Sequence, residues 1–162
     1  CTAMCCDEFE EYIPCQVSLT GIGKVEHLDN AGSVPVAPVG GVVSRQAYML
    51  RIPLDFEYEK EIVEGTYYEY ILTDTIANIQ IISLTAYDES HPAGTDVNEL
   101  FMDYPLRQED QLTDYKYGYM YGTVFYKIPR TLPQAGVHRF KVVVTTRKGE
   151  EFTKETDEIT MQ

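Results

Sequence analysis

Val137-His-Arg-Phe-Lys-Val-Val-Val-Thr-Thr146 is the stretch that decides the fold, together with the turn Arg147-Lys-Gly149 and the returning run 151–161. The first run is rich in β-branched residues and ends at a glycine-containing turn, which is typical of a β-hairpin. Its apolar and polar side chains alternate, with Phe140, Val142 and Val144 on one face and Arg139, Lys141 and Thr145 on the other. The alternation predicts antiparallel strands with one buried and one solvated face.

The same period of two recurs along the rest of the chain. Residues 45–59 place six apolar side chains in phase, and further short runs lie between turns rich in Gly, Pro and Asp. Pro53 cannot donate to a β-ladder, so it predicts a sheet edge or a change of strand partner. In the C-terminal run the phase slips between Phe152 and Ile159, which predicts a bulge near residues 154–157. We therefore predict an all-β protein, an antiparallel Ig-like β-sandwich of about seven to nine strands with at most one short helix.

The charge of the chain limits its partners. There are 26 acidic and 13 basic side chains, which gives a net charge of −13. Such an excess of negative charge opposes binding to nucleic acid and to anionic lipid headgroups. No segment approaches the run of about 20 apolar residues that crosses a bilayer. We expect no nucleic-acid partner, and contact with a membrane only through a lipid anchor.

All four cysteines lie in the first 15 residues. Cys5, Cys6 and Cys15 are candidates for a disulfide that fastens the tail to the first strand, with no pairing selected by the sequence. A zinc site is the alternative, although paired Cys-x2-Cys spacing is absent. This cluster separates an N-terminal tether, residues 1–14, from one β-sandwich domain, residues 15–162.

The most polar loop, residues 88–99, offers oxygen ligands of the kind that Ca²⁺ prefers. The candidate ligands are Asp88, Asp96, Asn98 and Glu99. The alternative is solvated capping, in which Asp96 and Glu99 form a capping box for one or two helical turns through Met102. The spacing matches no EF-hand loop.

A row of tyrosines at strand spacing is the second unusual stretch, formed by Tyr115, Tyr117, Tyr119 and Tyr121. An aromatic row beside glycines can bind sugar rings or a peptide. Tyrosines in sheets also pack their rings against neighbours and leave the hydroxyl in water. Both interpretations stay open.

No catalytic signature is present in the sequence. His27, His91 and His138 lie in separate segments, and the nucleophile, zinc-protease and phosphate-loop motifs are absent. We therefore expect a protein that is not an enzyme, with no catalytic residues and no cofactor.

Two resemblances extend these inferences. The run from Leu132-Pro-Gln-Ala-Gly136 through Val144 and the Lys148-Gly149 turn resembles the last hairpin of Ig-like or cadherin-like extracellular modules. Cys1-Thr2-Ala3, followed by an acidic segment, looks like the mature start of a bacterial lipoprotein, with Cys1 as the lipidated residue. Together with the cysteine cluster, the chain resembles the uncharacterised small surface lipoproteins of Bacteroides-type Gram-negative bacteria.

These resemblances imply an address and an architecture. They imply an exported, noncatalytic cell-envelope module with a binding or spacing role, lipid-anchored to the outer membrane, with an unknown protein or glycan as partner at the cell surface. The alternatives are a glycan- or peptide-binding protein that uses the tyrosine row, and a structural subunit of the adhesin or fimbria kind joined by strand exchange.

Overall fold

The computed structural model describes residues 11–104 and 124–162 and forms them into twelve β-strands and three single turns of 3-10 helix. The 3-10 turns are Val39–Gly41, Arg45–Ala47 and Asn98–Leu100. No helix in these two ranges is long and apolar enough to cross a membrane. In chain order the strands are β1 (Ile13–Ile22), β2 (Glu26–Asp29), β3 (Val42–Val43), β4 (Tyr48–Tyr58), β5 (Tyr68–Leu72), β6 (Ile76–Ser83), β7 (Phe101–Asp103), β8 (Val124–Pro129), β9 (Gly136–His138), β10 (Phe140–Thr146), β11 (Glu151–Glu155) and β12 (Ile159–Met161).

The strands form three sheets, packed as a sandwich-like fold. The largest sheet has the order β5-β1-β4-β8-β7, with β2 also paired to β4. The other two sheets have the orders β11-β10-β6 and β3-β12-β9. The all-β prediction is confirmed. The strand count in the described residues exceeds seven to nine, and four of the strands, β3, β7, β9 and β12, have only two or three residues.

The predicted core faces are confirmed where the alternation is strongest. Tyr48, Leu50, Ile52 and Leu54 of β4 are buried, and so are Phe140, Val142 and Val144 of β10. These two sets meet in the main hydrophobic cluster of the structure. Burial of alternate apolar side chains from facing strands stabilises the sandwich, at about 25 cal/mol for each Å² of apolar surface removed from water.

Pro53 lies where β4 changes partners. Residues 48–51 pair with β2, and residues 54–58 pair with β1. Between them Gly23 N donates to the Pro53 carbonyl at 2.9 Å. The missing N–H of Pro53 therefore falls between two ladders, as the second of the two sequence interpretations requires.

The C-terminal hairpin is divided between two sheets. β10 pairs antiparallel with β11, but β12 leaves β11 and pairs with β9, which comes before β10 in the chain. The division falls at Thr156, whose N–H donates to the Phe140 carbonyl at 2.8 Å while its Oγ1 accepts from Phe140 N at 3.0 Å. The phase slip near residues 154–157 is therefore a change of partner strand, a larger break than the predicted bulge.

Two other expectations are corrected by the structure. The helix predicted through Met102 is one 3-10 turn followed by β7, because Phe101 turns into the core. Two strand pairs, β1–β5 and β3–β12, are parallel, whereas the sequence predicted antiparallel pairing throughout.

Candidate functional site

The outer edge of β5 is bordered by exposed apolar side chains. β5 pairs on one side with β1, and no strand of the described residues pairs with its other side. Ile13 N donates to the Tyr67 carbonyl at 2.9 Å, and Thr73 N donates to the Val17 carbonyl at 2.9 Å. Because the backbone groups of successive strand residues point to alternate edges, the N–H and C=O groups of Tyr68, Tyr70 and Leu72 point away from β1.

Tyrosine rings lie on both faces of this edge. On one face the rings of Tyr68 and Tyr70 stack at 5.9 Å between centroids, and Tyr58 meets Tyr70 edge-on at 5.6 Å. On the other face Tyr12 meets Tyr67 edge-on at 5.7 Å. Contacts of this geometry stabilise aromatic pairs beyond the area that they bury. We call this set the tyrosine edge: Tyr12, Tyr58, Tyr67, Tyr68 and Tyr70 with the open backbone of β5.

Exposure distinguishes the tyrosine edge from core packing. Tyr12 is 56% exposed and Tyr67 is 52% exposed, whereas Tyr48 and Tyr87 are buried. Further exposed apolar side chains adjoin it in sequence at Ile13, Ile62, Val63 and Ile71. Clustered exposed apolar side chains with a polar rim mark interaction surfaces.

The rim of the tyrosine edge is acidic. In residues 11–14 and 57–72 there are six exposed carboxylates and one exposed lysine. Lys60 Nζ donates to the Pro14 carbonyl at 2.6 Å, and Glu59 Oε2 accepts from Gln16 N at 3.1 Å. The unmatched carboxylates are those of Glu11, Glu57, Glu61, Glu64 and Glu69. This edge therefore presents negative charge around aromatic rings.

Cys15 lies under the tyrosine edge with no exposed surface. Its thiol is free, and its Sγ lies 3.7 Å from the Gln16 carbonyl. The pKa of Tyr58 is raised, mainly by burial and to a smaller extent by the neighbouring Tyr70 and Cys15. The other disulfide candidates, Cys5 and Cys6, and the lipidation candidate Cys1 lie outside the described residues. No disulfide is found in the described part of the chain, so the predicted bridge stays a prediction.

A cleft of about 520 Å³ opens beside β1, on the side of the β10–β11 turn. Its polar groups bond to one another: the Ser18 and Thr73 hydroxyls are 2.9 Å apart, and Lys148 N donates to Asp74 Oδ1 at 3.1 Å. The lining residues are Ser18, Leu19, Thr20, Thr73, Asp74, Thr146, Lys148, Glu150 and Phe152. These hydrogen bonds link β1 and the β10–β11 turn to residues 73–74, which connect β5 and β6.

The calcium candidates form local turns in the structure. Asp88 Oδ1 accepts from Ser90 N at 2.9 Å and from His91 Nδ1 at 2.7 Å. Asp96 Oδ1 accepts from Ile81 N at 3.2 Å and from Asn98 N at 3.0 Å. Glu99 is an exposed residue of the 3-10 turn. Within residues 11–104 and 124–162 no three His, Cys, Asp or Glu side chains are grouped to hold a metal ion. The calcium site stays a prediction, to which no contact in the structure adds support.

The three histidines occupy different structural positions. His27 Nε2 donates to the Asp157 carbonyl at 2.7 Å, because a carbonyl can only accept, and its Nδ1 then accepts from the Tyr48 hydroxyl at 2.6 Å. His138 is fully buried, donates from Nε2 to the Gln134 carbonyl at 2.7 Å and stacks on Phe140. Its Nδ1 is buried without a hydrogen-bond partner among the described residues.

Burial lowers the pKa values of His27 and His138, so both rings are neutral at pH 7. His91 bonds Asp88 instead, and that hydrogen bond lowers the pKa of Asp88. In the described part of the chain, these hydrogen bonds give the histidines structural partners rather than a shared reaction centre.

The sequence located the tyrosine edge only in part. Residues 66–72 are one of the short runs between turns, but the place of this strand at the end of a sheet depends on its parallel pairing with β1. The signal available in the sequence was the composition Tyr-Glu-Tyr-Ile-Leu, which carries one charge in five residues. The tyrosine row of Tyr115, Tyr117, Tyr119 and Tyr121 lies outside the described residues, so its binding role stays a prediction.

Comparison with known proteins gives one structural and one family relation. The structure is similar to the C-terminal domain of the Streptococcus pyogenes antigen I/II-family protein AspA, with a TM-score of 0.33 and 12% sequence identity. The match covers 88% of this chain and 46% of that one, so this chain spans less than half the length of the solved chain. No curated protein matches the sequence. The model of a domain of unknown function, DUF5034, matches residues 20–157, and the chain therefore belongs to the DUF5034 family.

Proposed function

We propose that this chain is a noncatalytic binding module of the cell envelope that holds its partner on the tyrosine edge. The observation that carries the proposal is the exposed pair Tyr12 and Tyr67, next to the half-buried pair Tyr68 and Tyr70, at a strand whose outer backbone has no strand partner in the described residues. Tyrosine supplies a large apolar contact area together with a hydroxyl that can bond a partner, at a low cost in side-chain entropy.

In the described residues, the hydrogen bonds of the buried polar side chains favour a structural role over a catalytic one. Both ring nitrogens of His27, Nε2 of His138 and the Tyr87 hydroxyl bond to backbone carbonyls or to another core side chain. Such bonds satisfy buried polar groups and fix the core. A rigid sandwich that presents an exposed aromatic edge is suited to binding or spacing.

The test compares variants of the tyrosine edge with a matched surface variant. Purified protein is screened on arrays of glycans and of extended peptides, and the strongest ligand is then titrated. Tyr12→Ser with Tyr67→Ser should weaken that ligand by about tenfold or more, since each ring adds contact area at the surface. Val137→Ser is the control, because Val137 is 48% exposed on β9, away from this edge. Equal affinity of the double variant and the wild type, at unchanged melting temperatures, contradicts the proposal.

The envelope address is a separate part of the proposal. It rests on the resemblance of Cys1-Thr2-Ala3 to a lipoprotein start, and it predicts a diacylglyceryl group on Cys1 in the native host. Mass spectrometry of the native N-terminal peptide tests it, with detergent phase partitioning as a second readout. An unmodified Cys1 removes the lipid anchor from the proposal and leaves the binding surface untouched.

The glycan alternative shares the test above and adds one comparison. If sugar rings stack on Tyr12 and Tyr67, binding is insensitive to salt, because aromatic stacking on neutral sugars involves no ion pair. Binding through the row at Tyr117 and Tyr119 instead survives the loss of Tyr12 and Tyr67 and is lost in Tyr117→Ser. The array thus identifies the class of ligand, and the variants show which of the two tyrosine surfaces binds it.

A further inference from the structure

The tyrosine edge differs from the edge strand β11 in how it is protected. β11, at the end of its own sheet, carries charged side chains at three of its five positions, Glu151, Lys154 and Glu155. Charges on an edge strand discourage pairing with another chain. β5 has the same length and carries only Glu69. Among the residues that the structure describes, its outer backbone is therefore left available for an additional strand.

The geometry points to an extended, basic polypeptide segment as the occupant of this edge, added as a strand alongside β5. This inference rests on the binding function proposed above and names the partner chemistry for the same surface. The outward N–H and C=O groups of Tyr68, Tyr70 and Leu72 supply the ladder. Main-chain pairing of this kind gives affinity, and alternate side chains give specificity.

The two faces of β5 specify the alternation of the partner. Tyr68 and Tyr70 share one face with Tyr58, so a partner side chain on that face meets stacked rings and should be apolar. Glu69 and Ile71 occupy the other face by alternation, and Glu57 of β4 lies on the same face with β1 between it and β5. A partner side chain opposite Glu69 meets a carboxylate and should be lysine or arginine.

Charge complementarity selects a basic segment over an acidic or neutral one. Six exposed carboxylates and one lysine lie in residues 11–14 and 57–72, and that lysine already bonds Pro14. The chain as a whole carries a net charge of −13, which speeds the approach of a cationic partner and repels a second copy of itself. A second copy is therefore a poorer occupant than a basic peptide.

The experiment uses the octapeptide Lys-Val-Lys-Val-Lys-Val-Lys-Val with the full chain. Amide spectra and hydrogen exchange should show slowed exchange at Tyr68, Tyr70 and Leu72 when the peptide is added, with a dissociation constant below about 1 mM. Two control peptides test separately how charge and backbone hydrogen bonds contribute to binding. Glu-Val repeats reverse the charge, and a peptide with N-methyl groups on alternate residues along one edge removes the donors.

Matched protein variants separate a specific edge from general charge attraction. Glu69→Lys should weaken the Lys-Val peptide by about fivefold, as expected when an exposed attractive pair becomes a repulsive one. Glu151→Lys makes the same charge change on the exposed strand β11 and should alter affinity by less than about twofold. Equal weakening by both variants overturns the inference, since it shows only attraction to net charge.

Four other outcomes also overturn it. They are the absence of binding near about 1 mM, equal binding of the Glu-Val peptide, binding without protection of the three amides, and protection of those amides in the free protein at any concentration, which indicates that the edge is already covered or self-associates. In each case the proposed function survives if the array ligand still depends on Tyr12 and Tyr67. Loss of both dependences removes the proposed function as well.

Discussion

At the scale of single residues, the buried histidines make the stability of the folded protein depend on pH. Burial lowers the pKa values of His27 and His138 below the ordinary value of 6.5. Below about pH 6.5 these two histidines bind protons in the unfolded chain, whereas in the folded chain they stay neutral until a lower pH. The stability contributed by the neutral rings is therefore complete above that pH and is lost as the pH falls towards their folded pKa values.

We predict that the free energy of unfolding decreases between about pH 7 and pH 5, and that His138→Gln makes this decrease shallower. Glutamine does not titrate in this range, so one proton-linked group is removed. Urea titrations at several pH values provide the slope. Val144→Ala is the control, because it weakens the same core at a buried position of β10 without removing a titrating group, and should keep the wild-type slope. A wild-type slope in His138→Gln sinks this prediction.

Cys15 gives a second prediction at this scale. In a background with Cys1, Cys5 and Cys6 replaced by serine, Cys15 should resist alkylation under native conditions and react once denaturant unfolds the chain, because its side chain has no exposed surface. The labelling rate then measures opening of the structure. If the native protein is labelled as rapidly as an exposed thiol, Cys15 is not buried in solution and the prediction is wrong. Mass spectrometry of the native four-cysteine chain tests the disulfide separately.

At the scale of elements, the connection between β1 and β2 depends on a close approach of backbone and side chain. A Cβ atom built on Gly23 lies 3.0 Å from Cγ of Pro53, whereas a Cβ on Gly21 meets nothing within 4 Å. The approach is required because Gly23 N bonds the Pro53 carbonyl at the point where β4 exchanges one partner for another. The glycine at position 23 therefore has a packing role that its neighbour lacks.

Gly23→Ala is predicted to destabilise the protein by about 1–3 kcal/mol through overpacking against the proline ring. Gly21→Ala is the matched control and should be neutral or slightly stabilising, since it reduces the freedom of the unfolded chain without a clash. Thermal and urea unfolding of both variants measures the difference. Equal stability of the two variants contradicts the packing role of Gly23.

The elements also show which features of the fold the periodicity of the sequence can predict. Alternation located the buried faces of β4 and β10 because each face is a local property of one strand. It could not locate β12 beside β9, or β5 parallel to β1, because strand pairing depends on residues far apart in the chain. The phase slip in residues 151–161 predicted only a bulge in one return strand, yet the bonds of Thr156 to Phe140 end that strand, and Ile159–Met161 pairs in another sheet. The tyrosine edge escaped prediction for the same reason.

At the scale of the whole molecule, β12 ties the smallest sheet to the main core. It lies between β3 and β9, and its Ile159 and Met161 belong to the main hydrophobic cluster. Thr160 points to the opposite side of the strand and is partly exposed. The integrity of the sandwich therefore depends on a three-residue strand near one end of the described chain.

We predict that Met161→Lys destabilises the whole molecule by about 3 kcal/mol or more, because an ammonium group replaces a buried apolar side chain. Thr160→Lys, one residue away, should cost less than about 1 kcal/mol. Hydrogen exchange monitored in β4 and β10 distinguishes global from local loss. If Met161→Lys leaves the exchange of both strands unchanged, β12 is a peripheral addition rather than part of the cooperative unit.

The mixed pairing of β12 has a mechanical consequence. Its neighbours run in opposite directions, parallel in β3 and antiparallel in β9, and Gln162 N continues the ladder to the Val43 carbonyl at 3.0 Å. A force applied along β12 at its C-terminal end loads the bonds on both of its sides together, in shear, whereas a force across the strand opens them one after another. The domain should therefore resist tension in one direction far better than in another, and pulling single molecules from different attachment points would reveal that anisotropy.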